Sequence, residues 1–382
     1  MNASVMSGIC RKPASALICL LIAVSVVSGI ASAETAPPLV NAFSVKKLPK
    51  NYIALEKFFS SLRNSGANTL IMELPITAEG FPDTAAVPNV VFLAHQSGIK
   101  LFVVLPTRKL PGPIALHSDW EDRRYDIAND SYQDSGKLDL FSQAAVSYLA
   151  AIAKELAAFS VDAVILGDDF HYAPVDGMSR TASRFAAIKL DADIDPATMY
   201  RKIVKGPEGP VVTEYSELFL KWTRLKKDRL LNVYETIRTA ARTGNGSIRF
   251  GLAVPVDYPV REPADILASH AFEMESYRKQ EADLFLAVIP YRDIQEARSM
   301  AYRQVTEMVS RIARSVLSAS KDGTRVILVV PMTERLTAKS LRYSEIEEIT
   351  GLLRAGGEAG IGYEIKADTP LSKEFTNKLF KK

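Results

Sequence analysis

Cysteine is nearly missing from this chain, whose only two, Cys10 and Cys19, both lie near the N-terminus. Residues beyond Cys19 therefore hold no disulfide, no cysteine-based metal site and no cysteine nucleophile. Histidine is scarce too, and His95, His117, His171 and His270 show no H-x-x-x-H or H-E-x-x-H spacing, so neither a metal nor a cofactor is expected. No G-x-S-x-G elbow surrounds Ser179 or Ser216, which removes the usual setting of a nucleophilic serine. Neither a G-x-G-x-x-G loop nor a Walker loop follows the first apolar strand pattern, so nothing favours a nucleotide. A large excess of one charge is absent as well, the formal net charge being +3 with Lys and Arg interspersed among Asp and Glu. The densest basic stretch, "KWTRLKKDR" (221–229), reads as the solvated face of a helix, and no nucleic-acid partner is expected.

Long apolar runs are confined to the first residues. Arg11 and Lys12 precede an apolar run from Ala14 to Val27, and Ala31 and Ala33 occupy the small positions of an A-x-A site. This is the layout of a secretory signal peptide over residues 1–33, cut before Glu34. An uncleaved anchor is the competing reading, but the run is shorter than the roughly 20 residues that span a bilayer. Bulky Ile18 argues against lipidation at Cys19. The expectation is a bacterial periplasmic or secreted protein with no stable membrane span once the leader is removed. Export without disulfides suits a large domain stabilised by its core alone.

Residues 34–382 show eight short apolar runs, at 39–45, 68–74, 99–105, 161–167, 248–254, 283–289, 325–331 and 361–366. Most are apolar at consecutive positions, as strands of a parallel sheet buried on both faces should be. Between them lie helical patterns with a period near 3.6, at 52–66, 139–159, 215–242, 297–320 and 343–357. The expected fold is α/β, a single (β/α)8 TIM barrel of the glycoside-hydrolase kind, with an open doubly wound sheet as its rival. The least patterned stretches, 106–137 and 173–214, fall where a barrel carries its long loops.

A barrel builds its active site from residues at the C-terminal ends of its strands. Here these include Glu73, then Asp168, Asp169, His171 and Tyr172, then Asp257 and Tyr258, then Tyr291 and Asp293, then Glu334. Carboxylates and aromatics suit a sugar: rings stack on pyranose faces, and paired acids cleave glycosidic bonds. Trp120, in the third loop, is a further stacking candidate, whereas Trp222 is expected in the core. Along strand four Ala163, Ile165, Gly167 and Asp169 share one side, so Asp169 is expected to face the barrel interior as the general acid/base. Asp168 then braces a loop or tunes Asp169; either Glu334 or Asp293 is the second carboxylate, or a substrate acetamido group supplies the nucleophile, and the sequence does not choose between these. The bland alternative is that both aspartates cap the next segment or bind an arginine.

Several stretches carry a resemblance. Asp162-Ala163 and Asp168-Asp169 with Gly167 between them, "RNSGANTLIMEL" (63–74), "FVVLPT" (102–107), "FLKWTRLKKDRL" (219–230) and "AVIPYRD" (287–293) resemble the C-terminal glycoside hydrolase domain of the periplasmic poly-β-1,6-N-acetylglucosamine deacetylases. The likeness spans roughly residues 40–370. It implies hydrolysis of the partly de-N-acetylated polymer, with the paired aspartates at the site. Gly167 replaces the family's His and Ala163 its Gly, and the metal-dependent deacetylase half is absent. Strand four is also similar to chitinase-type barrels, with Asp162 at the first acid of their D-G-x-D-x-D-x-E pattern and Asp169 at the last, but Ile165 and Gly167 replace the two between.

Two functions remain in view. One is an exported glycosidase acting on an amino-sugar exopolysaccharide, with Asp169, Asp168 and Glu334 as catalytic carboxylates and Glu73, His171, Tyr172, Asp257, Tyr258, Tyr291, Asp293 and Trp120 as substrate contacts. The other is a non-catalytic polysaccharide-binding or export-assisting barrel. Another glycan is a weaker third reading.

Overall fold

A computed structural model describes residues 40–206, 209–255, 263–291, 295, 300–318, 325–333, 341–355, 357, 359–366 and 379–380. The expected leader over 1–33 lies outside these residues. So do Asp257, Tyr258, Asp293 and Glu334.

All eight apolar runs are strands, and they close on themselves. The barrel strands are β1 (Asn41–Val45), β2 (Thr69–Glu73), β3 (Lys100–Leu105), β6 (Ala163–Leu166), β9 (Arg249–Ala253), β10 (Leu284–Val288), β11 (Arg325–Pro331) and β12 (Gly360–Ile365). Each pairs in parallel with its neighbours, and β12 pairs with β1 to complete the ring. The doubly wound alternative is thereby excluded, since an open sheet has two edges and this one has none. Closure satisfies both edges' N–H and C=O groups, and the strands can be apolar on both faces because one packs inside the ring and the other beneath the helices.

One face of each strand fills the ring. Ala42, Ile71, Phe102, Ala163, Ile165, Ala253, Leu286, Ile327 and Val329 form this inner cluster. Space there is limiting: a Cβ on Gly251 would lie 2.2 Å from the Leu284 carbonyl oxygen. The other faces pack beneath the helices. The helix Gln143–Ala158 buries Val146, Leu149, Ala153 and Leu156, and the helix Glu217–Gly244 buries Phe219, Trp222, Leu230, Val233 and Ile237. Ser142 and Ser216 begin these helices by accepting the N–H groups of Ala145 and Phe219. Trp222, expected in the core or between helices, is fully buried in the core.

Two hairpins occupy the stretches that showed no pattern. β4 (Glu121–Asp126) pairs antiparallel with β5 (Ser131–Leu138) after β3, and β7 (Tyr200–Gly206) with β8 (Gly209–Tyr215) after β6. Solvent-facing hairpins rich in polar residues lack the strict alternation of a half-buried strand, so their sequences read as loop. Among the described residues no helix is long and apolar enough to cross a membrane.

Candidate active site

At the C-terminal mouth of the ring the inward rows run out of apolar residues. The row Ala42, Ser44, Lys46 rises on β1, Ile71 and Glu73 on β2, Ala163, Ile165, Gly167 and Asp169 on β6, and Gly362 and Glu364 on β12. These rows bound a cavity of about 270 Å³ whose wall carries Glu73, Asp168, Asp169 and Glu364 together with Lys46 and Lys109. Ala253, Leu286 and Val288, on the adjacent β9 and β10, give the cavity an apolar wall, and Val104 lies on β3 between β2 and β6. Lys46 Nζ lies 3.8 Å from Glu364 Oε1.

Asp169 faces the mouth, as the parity of strand four predicted, but its carboxylate is already occupied. Oδ1 accepts the Thr107 N–H at 3.0 Å and the Thr107 hydroxyl at 2.8 Å. Oδ2 accepts the N–H groups of Arg108 at 2.7 Å and Lys109 at 2.8 Å. Three successive amides thus converge on one anion, a nest that fixes the start of the long β3 loop. A general acid must turn an oxygen towards its substrate, and both oxygens here are taken up by the loop. The geometry of Asp169, expected as the proton donor, is that of an anchor for this loop. Gly167 belongs to the same arrangement. A Cβ there would sit 2.8 Å from Asp169 Oδ1 and 3.2 Å from the Leu105 oxygen, so a side chain would push the anchor off the amides.

Asp168, the preceding residue, is only partly buried and lines the cavity. The chain then turns sharply, with Phe170 N–H donating to the Gly167 oxygen at 3.0 Å. His171 Nδ1 lies 2.8 Å from the Asp168 carbonyl oxygen, so the neutral ring donates from Nδ1. Burial, then the neighbouring His270 and Arg108, pull the His171 pKa down to about 4. The ring of His270 stands edge-on at 4.8 Å.

Beneath the anchor lies a buried charge cluster. The side chain of Arg108 is within 3.0 Å of both Asp122 and Asp176, and its guanidinium carbon sits 4.1 Å above the Tyr172 ring. Lys137 reaches the same Asp176 oxygen at 2.9 Å. Burial raises the Asp176 carboxyl, but Arg108 and Lys137 outweigh it and hold that carboxyl well below its ordinary range. Burial, aided by Asp139 and Asp176, outweighs Arg108 and the Gly177 N–H at Asp122 and pushes it up to about 7. Lys226, fully buried, donates to the carbonyls of Ala173 and Asp176 at 3.3 Å, and desolvation lowers it to about 8. The cluster ties the β3 loop and the β4–β5 hairpin to the segment after β6.

Three expected sugar contacts take other places. Tyr172 is wholly buried, accepting from the Leu140 N–H at 2.9 Å and donating to Asp139 at 3.2 Å, so it braces the loop cluster instead of lining a groove. Tyr291 is 1% exposed, with no face for a sugar ring. Trp120 is half-buried, stacked on His117 at 4.1 Å and leaning on Tyr148 of the helix Gln143–Ala158, away from the cavity wall. His171 likewise does not line the cavity. Glu73 does, at the exposed last position of β2.

Sequence reasoning missed Ser44, Lys46, Lys109 and Glu364. The parity argument that singled out Asp169 also applies to the eighth strand, where Gly360 and Gly362 mark the inner row that ends in Glu364. Lys46 follows by the same count along β1. Among the described residues no cluster of His, Cys, Asp and Glu could hold a metal ion.

No protein-family model matches the sequence, and no curated protein matches it. Similar solved structures are glycoside hydrolase barrels. The PgaB (BpsB) glycoside hydrolase domain from Bordetella bronchiseptica superposes with a TM-score of 0.68 at 12% identity, over 90% of this chain and 100% of that one. The catalytic domain of the β-amylase from Paenibacillus polymyxa gives 0.59 at 12% identity, over 89% and 97%. The β-galactosidase from Rahnella sp. R3 gives 0.61 at 12% identity, over 90% of this chain and 56% of that enzyme. At such identities the likeness establishes the fold, a (β/α)8 barrel of the kind glycoside hydrolases use.

Proposed function

We propose that this chain is an exported glycoside hydrolase that cleaves an amino-sugar exopolysaccharide, partly de-N-acetylated poly-β-1,6-N-acetylglucosamine. The observation that carries the reading is the mouth cavity, where four carboxylates and two lysines share the lining with an apolar wall of Ala253, Leu286 and Val288. An acidic rim attracts a polymer whose free amines are protonated, and the apolar wall suits the methyl groups and ring faces of its acetylated units.

Asp168, which lines the cavity, protonates the glycosidic oxygen. Glu364 stands on β12, four strands away round the eight-stranded ring, with Lys46 Nζ 3.8 Å from its Oε1. Glu364 supports positive charge on the sugar ring or activates water. Glu334, after β11, is the other candidate for that role, and Glu73 holds an amine or hydroxyl. Asp169 positions the loop bearing Lys109.

The commitment of Asp169 to the loop favours a second reading, a barrel that binds the polymer without cleaving it. Incubating the purified protein with partly deacetylated polymer and sizing the products by mass spectrometry separates the two. Shortened products are expected from wild type, with a rate about 100-fold or more lower in Asp168→Asn. Binding without shortening would select the non-catalytic module, and an unimpaired Asp168→Asn would remove Asp168 from the chemistry.

A further inference from the structure

Among the large apolar side chains that the described residues leave exposed, Ile76 is the one that lines the mouth cavity, and it is 39% exposed. It stands on the loop that leaves β2, just beyond Glu73, and that loop is tightly built. Ile76 pairs with Pro82 in an antiparallel bridge, the Thr77 N–H donates to the Phe81 oxygen at 2.8 Å, and the Asp83 N–H donates to the Pro75 oxygen at 2.7 Å. The tip is clasped to the first turn of the helix Pro111–Leu116, where the Gly112 N–H donates to the Gly80 oxygen at 3.0 Å. Neither glycine has room for a side chain. A Cβ on Gly80, whose φ is +86°, would lie 2.6 Å from the Gly112 nitrogen, and one on Gly112 would lie 2.7 Å from the Glu79 oxygen. The clasp joins the β2 loop to the β3 loop, whose start the Asp169 nest already fixes. An aliphatic side chain held in water by two fixed loops gains only when a ligand covers it.

We propose that Ile76 is a sugar platform: it packs on the apolar face of one pyranose unit at the β2 rim of the cavity, Glu73 takes an amine or hydroxyl of that unit, and Gly80 and Gly112 are positioning residues that act through the clasp. The chemistry of the rim selects this occupant. The charged residues from 73 to 83 are all acidic, Glu73, Glu79 and Asp83, while the cations of the lining, Lys46 and Lys109, stand past β1 and on the β3 loop. A purely apolar ligand on Ile76 would strip water from Glu73 and return no hydrogen bond, whereas a sugar offers C–H groups on one face and donors at its edge. The inference rests on the carbohydrate reading of the cavity and does not require hydrolysis.

Isothermal titration calorimetry of the purified chain with β-1,6-linked oligomers of glucosamine and N-acetylglucosamine tests it. Covering the exposed part of an isoleucine is worth about fivefold in affinity. Ile76→Ser should therefore raise Kd about fivefold, and Ile76→Leu should stay near wild type. Gly80→Ala or Gly112→Ala should weaken binding by itself but add nothing to Ile76→Ser, because each acts through Ile76. An unchanged Kd in Ile76→Ser, or a glycine effect that persists in full beside Ile76→Ser, would overturn the proposal. A wild type that binds no oligomer would remove the carbohydrate premise and the platform with it. Binding with the expected losses but without shortened products would uphold the platform and refute only the hydrolase reading.

Discussion

An Asp169→Asn substitution keeps the size of the side chain and removes its charge, which makes it a sharp probe of the amide nest. The amide settles best with its NH2 at the Oδ1 position, where the Thr107 hydroxyl at 2.8 Å can turn to accept. The remaining oxygen still faces the amides of Thr107, Arg108 and Lys109, at 3.1, 2.7 and 2.8 Å. Those three bonds lose their charge assistance, about 1 kcal/mol each, for a total of about 3 kcal/mol. With a urea m-value of about 3 kcal/mol/M the midpoint falls by about 1 M. Asp169→Ala should cost about 5 kcal/mol, because the three amides then lose their acceptor altogether. Equilibrium urea unfolding followed by circular dichroism reads both. A wild-type midpoint for Asp169→Asn, with hydrolysis abolished, would refute the anchor and return Asp169 to the role of proton donor.

Other consequences concern the charge cluster and the turn after β6. Arg108→Met leaves Asp122 and Asp176 buried against each other and should destabilise by about 3–5 kcal/mol, while adding Asp122→Asn should recover part of that loss in a double-mutant cycle. His171 has a folded pKa of about 4, below its ordinary 6.5, so the unfolded chain binds its proton first. Its neutral form contributes stability that is complete above pH 6.5 and is lost as pH falls towards 4, up to about 3 kcal/mol. Asp122, raised to about 7, acts with the opposite sign over much of that window, its stability fading as pH rises. The informative quantity is thus the difference between wild type and His171→Gln: the variant should gain on wild type between pH 7 and 4.5, and a constant difference would remove His171 from the linkage.

The barrel was legible because its signal is local. Consecutive apolar positions bounded by turn residues mark a strand buried on both sides, and eight of them separated by amphipathic helices leave few ways to bury everything. Parity along β6 correctly placed Ala163 and Ile165 inside the ring, with Gly167 and Asp169 at the cavity. The same count along β12 would have found Glu364. Tyr172 illustrates the limit: an aromatic just past a strand end has the composition of a sugar platform, but Asp139 and the Leu140 amide claim its hydroxyl. Those partners belong to another loop, and no spacing within strand four announces them.

From the amino-acid order alone came the strands, their inward and outward faces and an acid-rich rim, since alternation and helical period are properties of neighbours in sequence. What each acid does was decided by closure. Ring formation sets β12 beside β1 and so brings Glu364 to Lys46 from the far end of the chain, and it lays the β3 loop over β6 so that three amides capture Asp169. A carboxylate's chemistry depends on which donors surround it, and here those donors are assembled by contacts distant in sequence.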